Sequence, residues 1–89
     1  MPYIKLYDRL LLDRGHRLPS TAGELNYAIT RMVDTYLNGA LSYDRINSVI
    51  GVLECAKLEL YRRVAAPYEN GKIHENGDVY KCNNDILKA

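Results

Sequence analysis

A chain of 89 residues with a formal charge of +1 sits near the lower size at which one hydrophobic core can stabilise a fold, burying only about 60–65% of the surface its unfolded form exposes. Its hydrophobic share of 47% and charged share of 26% exclude wholesale disorder, and the near-neutral balance argues against nucleic acid or acidic lipid as the main partner. No apolar run approaches membrane-spanning length, and Leu10-Leu11-Leu12 is too short and too closely flanked by charge to be the core of a secretory leader.

The first 19 residues read as an N-terminal arm. Leu6 and Leu10, with Tyr3 or Leu11, recur at helical spacing and predict a short helix over Ile4 to Leu12, ended by Gly15. Pro19 biases Leu18 away from the helical region, so "HRLP" is an extended connector. "PSTAGEL" then starts a helix: Thr21 is placed to cap the backbone while Glu24, three residues on, reaches back. Leu25, Ala28, Ile29, Met32, Val33, Tyr36 and Leu37 share one face of a helix over Ala22 to Asn38, which Asn38-Gly39 stops.

Ser42 caps the next helix, expected over residues 43 to 66, where Pro67 ends it. Ile46, Val49, Ile50, Leu53, the Lys57 stem, Leu60 and Val64 make its main apolar stripe, and Val52, Cys55, Ala56 and Leu58 widen it beyond what one partner helix covers. The short join Gly39-Ala40-Leu41 predicts an antiparallel helical hairpin over 20–66, burying Ile29, Met32, Val33, Tyr36, Ile46, Ile50, Leu53 and Leu60. In residues 67–89 the alternation of "KIH-ENGD-VYK" around Asn76-Gly77 reads as a small β-hairpin, and Asp85 to Lys88 as one more helical turn. The expected fold is thus mainly α: one small domain with a short N-terminal helix, a helical hairpin and a C-terminal β-hairpin or extended segment.

Eight tyrosines without Phe or Trp suit either the wet edge of an aliphatic core or a stacking surface for a ligand. Asn47, Glu54 and Tyr61, seven residues apart, form a polar stripe beside the apolar one, with Lys57 one turn away. It reads as ion pairs at the seam edge or as the wall of a polar pocket. Arg62 and Arg63 in the last turns suit the negative helix end, or, with Tyr68, Lys72 and Tyr80, a groove taking phosphate by charge and a base by stacking.

No cofactor or metal is expected: His16, His74, Cys55 and Cys82 lack ligand spacing, and both cysteines read as free thiols. A Cys82–His74 pair has no orienting acid or oxyanion site, so nothing supports an enzyme.

The blocks "MPYI", "GELNYAIT", "INSVIGVLECAKLELYRR" and "PYENGKIHENGDVY" resemble a family of small uncharacterised proteins encoded by tailed bacteriophages. The outline of "SYDRINSVIGVLECAKLELYRR" is also similar, in architecture and not in motif, to phage helical-hairpin proteins that sequester cyclic-nucleotide immune signals as oligomers. These resemblances imply a location in the cytoplasm of the infected bacterium. The expectation is a non-enzymatic accessory protein, self-associating through its second long helix and binding a small phosphate-bearing ligand. The alternative is an adaptor or inhibitor of a host protein.

Overall fold

Helix α1 (Leu6–Asp13) and helix α2 (Ala22–Leu37) are joined by a connector that turns over Arg14 to Arg17, where an extended segment was expected from His16, and then runs irregularly through Pro19 to the cap at Thr21. Thr21 is extended (φ −127°, ψ 163°), and its hydroxyl accepts the Glu24 N–H at 3.1 Å. The Glu24 carboxylate returns to the Ser20 N–H at 3.0 Å and the Ser20 hydroxyl at 3.1 Å. The expected capping box therefore forms, with its return bond one residue earlier than in the usual pattern. Gly39 stops α2 at φ +80°, and Ser42 caps helix α3 (Tyr43–Leu60) by accepting the Arg45 N–H at 3.2 Å.

This computed structural model describes residues 2–82 and separates into two compact units, one through Ile50 and one from Gly51. In the first unit α1 lies on α2, and Tyr27 and Glu24 are the buried residues there. The residues expected to form a core between the two long helices show little burial. Of these eight, Ile29, Met32, Tyr36, Ile50, Leu53 and Leu60 are exposed, while Val33 and Ile46 are half-buried. The reason is chemical. Arg9 and Asp13 of α1 meet Tyr27 and Arg31, and Arg17 of the connector ties Asp8 to Glu24, so α1 packs on the polar face of α2 rather than on its aliphatic one.

In the second unit the helix does not end at Pro67. A five-residue π-helical segment, Tyr61–Ala65, continues α3, and helix α4 (Ala66–Asn76) follows directly. Proline has no N–H and its ring collides with the carbonyl four residues back, here that of Arg63. The π segment widens the turn, with the Ala66 N–H reaching back to the Tyr61 carbonyl, and so lets the helix run through Pro67.

The expected C-terminal β-hairpin is absent: the described residues contain no strand, and Lys72 to Asn76 are the last turn of α4. Only Ile73 and Val79 carried the apolar alternation, too few to override a helix already propagating from α3. Asn76-Gly77 instead closes that helix. The Gly77 N–H bonds the Ile73 carbonyl at 2.8 Å, and Gly77 adopts φ 87°, ψ 151°, a region essentially reserved for glycine. Gly77→Ala should cost about 1–3 kcal/mol at this position. It would be seen as faster amide exchange over the last turn of α4, with α2 unchanged. The additional turn expected over Asp85 to Lys88 lies outside the described residues. No helix among the described residues is long and apolar enough to cross a membrane.

Candidate functional site

The first unit holds a polar cluster that the sequence reading did not single out. The Arg17 guanidinium reaches both Asp8, at 2.6 Å, and the two Glu24 oxygens, one at 2.7 Å. With Ser20 also donating, this lowers the Glu24 pKa from its ordinary 4.5 to about 2, the Arg17 contact being the main cause, and Glu24 in turn raises that of Arg17. Beside it the Tyr27 hydroxyl donates to the Asp13 carboxylate, 2.8 Å from either oxygen, and Arg31 approaches Asp13 at 3.5 Å. Burial, then the Asp13 contact, pushes the Tyr27 pKa up. Arg9 lies 5.9 Å from the centre of the Tyr27 ring and donates to the Ile4 carbonyl at 2.8 Å.

An open groove of about 390 Å³ runs along α2, with Leu12, Ala28 and Met32 as its apolar part and Asp13, Tyr27 and Arg31 at its polar end. Asp13, Tyr27 and Arg31 satisfy one another, so the cluster locks α1 to α2, and Thr35 is the remaining polar group on the groove. No single-residue signal marks this site. Asp8, Arg17 and Glu24 lie on different elements, and only the turn through "HRLP" brings them together.

The residues singled out for ligand binding fall on the second unit. Arg62 and Arg63 share one carboxylate: Arg62 is 3.0 Å from both Glu59 oxygens and Arg63 is 3.5 Å from one. Lys72 lies 5.6 Å from the Tyr68 ring centre and 3.4 Å from Glu75, as the exposed pairs of a helical surface do. Tyr80 follows the end of α4, its N–H on the Asp78 carboxylate at 2.9 Å in a two-residue side-chain turn. The β-hairpin expected to carry Tyr80 back is not made; Tyr80 nevertheless lies near enough to Tyr61 to help push its pKa up, and the groove loses the strand pairing on which it was drawn.

Of the polar stripe, Glu54 and Lys57 pair at 3.4 Å. Tyr61 bonds Glu69 on α4, which raises the Tyr61 pKa, and Asn47 is exposed. The stripe is thus a row of local pairs along an exposed helix. Cys55 and Cys82 are free and exposed.

Large apolar side chains line this helix in the open. On one side stand Ile50, Leu53 and Leu60, at 60%, 43% and 61% exposure. Towards the opposite side stand Val52, Cys55 and Leu58, all exposed. Helical spacing separates these two strips across α3. From Gly51 to Cys82 every residue except Ala65 and Ala66 is exposed. Such a surface is costly unless something covers it.

No curated protein and no solved structure matches the chain. A family model described as a domain of unknown function, DUF6899, matches residues 1–79. The chain therefore belongs to the DUF6899 family.

Proposed function

We propose that this protein is a non-enzymatic phage accessory protein acting in the cytoplasm of the infected bacterium, where it serves as an adaptor or inhibitor by docking on a host protein. The observation that carries this reading is the exposed apolar surface of α3, above all the strip of Val52, Cys55 and Leu58. Exposed aliphatic groups at helical spacing are the anchors of helix-in-groove recognition. The resemblance of "GELNYAIT" and "PYENGKIHENGDVY" to small tailed-phage proteins supports the phage setting.

The test is native mass spectrometry of the protein isolated from infected cells, beside a Val52→Asp/Leu58→Asp variant of equal helical content. A stoichiometric host protein present with the native chain and lost with the variant supports the adaptor. Finding none with either would reject it.

A second reading, sequestration of a phosphate-bearing nucleotide signal, draws on one observation: Arg62 and Arg63 stand on one turn with a single carboxylate, Glu59, between them. A net positive charge therefore remains for an anion. Calorimetric titration with mono-, di- and cyclic nucleotides separates the readings, since only this one predicts heat that disappears with Arg62→Ala/Arg63→Ala.

A further inference from the structure

Along α3 the residues Tyr43, Ile46, Ile50, Leu53, Lys57 and Leu60 are separated alternately by three and four positions. That is a seven-residue repeat with two seam positions per repeat, sustained from the first residue of the helix to its last. Such a repeat keeps one narrow stripe facing a partner helix when the pair supercoils left-handed. In the notation of such repeats, Tyr43, Ile50 and Lys57 occupy a, and Ile46, Leu53 and Leu60 occupy d. We infer that α3 is one strand of a parallel two-stranded coiled coil with a second copy of this chain. The inference rests on reading α3 as an interaction surface, and it names the partner of one of its faces.

Four observations select a second copy. The first is composition: β-branched Ile50 at a, with Leu at two of the three d positions, Leu53 and Leu60, and Ile46 at the third, leans towards two parallel strands. The second is Lys57. One lysine at an a position specifies register and strand number, at some cost in stability. Here its ammonium group is already drawn out of the seam to Glu54 at 3.4 Å, leaving its stem to cover the stripe.

The third observation is exposure: Tyr43, Ile50, Leu53 and Leu60 are 84%, 60%, 43% and 61% exposed, with Ile46 alone of the apolar seam positions half-buried. The fourth is symmetry. A two-fold axis sets each a against a′ and each d against d′, so one repeat supplies both halves of the interface. A groove on an unrelated protein would need only two or three anchors. The 18 residues of α3 give a seam about 27 Å long. Val52, Cys55 and Leu58 lie away from the seam, so a dimer leaves the proposed docking strip open.

Sedimentation velocity over the micromolar range, with a crosslinking arm, tests this. The native chain should pass from monomer to dimer across this range, and Leu53→Lys should weaken association by about a hundredfold or more by placing a charge at d. Lys57→Ile should strengthen it about tenfold or more by removing the polar a residue. In a Cys55→Ser/Cys82→Ser background, Ile46→Cys and Leu60→Cys should each form a disulfide with its own counterpart under mild oxidation. Failure of either to link to its own counterpart, with Ile46→Cys linking instead to a Lys57→Cys chain, would mean antiparallel strands and overturn the proposal. A native chain that stays monomeric, or a dimer indifferent to both Leu53→Lys and Lys57→Ile, would overturn it as well. A monomer that still retains a host protein would leave the adaptor reading standing, whereas a dimer that retains none would remove the adaptor and keep the coil.

Discussion

Replacing Tyr27 by alanine should release α1 from α2. Tyr27 is the one buried apolar side chain among the described residues, at 8% exposure. Removing an aromatic ring from such a position costs about 3–5 kcal/mol, as much as a core of this size usually supplies. Protection of the α1 amides should fall to the level of an unfolded peptide, and the tyrosine near-ultraviolet circular dichroism should collapse. Tyr27→Phe keeps the ring and loses only the hydroxyl bond to Asp13, 2.8 Å from either oxygen. Because Asp13 retains Arg31 and partial access to water, that loss should be about 1–1.5 kcal/mol. A loss below about 1 kcal/mol for Tyr27→Ala would show that the α1–α2 contact is not organised around this ring.

Acid should loosen the same contact from its other end. The Glu24 carboxyl titrates at about 2 in the folded chain against an ordinary 4.5, because Arg17 and Ser20 bond its charged form. A carboxylate whose folded pKa is depressed stabilises fully above its unfolded pKa, and this stabilisation is lost as pH falls through the folded value. Stability of the first unit should therefore be flat with respect to Glu24 above about pH 5 and decline between about 4.5 and 2. Glu24→Gln should flatten that decline. Arg17→Met should lower stability at neutral pH and make the acid decline smaller and narrower, because the folded pKa of Glu24, then held only by Ser20, moves back towards 4.5 while the onset stays at the unfolded value. Urea unfolding at a series of pH values, followed through tyrosine fluorescence, reads both effects. An unchanged pH profile in Glu24→Gln would contradict the assignment.

Local chemistry was legible in the sequence, and long-range choice was not. Thr21, Glu24 and Ser42 mark helix starts by bonds that span three residues, so the starts of α2 and α3 follow from residue order. Gly39 marks the stop of α2 for the same reason. The aliphatic stripe of α2, in contrast, says which face is apolar and not which face is chosen. Charged partners on α1, fourteen to eighteen residues away, chose the other one.

Pro67 reads as a helix terminator wherever the helix must remain α; a π-helical segment ahead of it removes that constraint, and nothing in "YRRVAAP" announces one. Asn76-Gly77 is equally apt for a hairpin turn and for a helix stop. The helix running in from α3 decides between them. The candidate site follows the same division. The pairs of Glu54 with Lys57 and of Glu59 with Arg62 were readable as helical neighbours. The cluster around Arg17, assembled across a connector, was not.

Both readings of α3 reduce to one physical claim: the helix from Gly51 to Asn76 has no core of its own in a single chain and is stabilised by what it docks against. Isolated helices with few tertiary contacts open readily and exchange their amides fast. Hydrogen exchange measured at low and at high micromolar concentrations tests this most directly. Protection over residues 51–60 should rise steeply with concentration, while protection over α2 stays constant. Strong protection of residues 51–60 that is the same at every concentration, in the purified native chain, would contradict the claim.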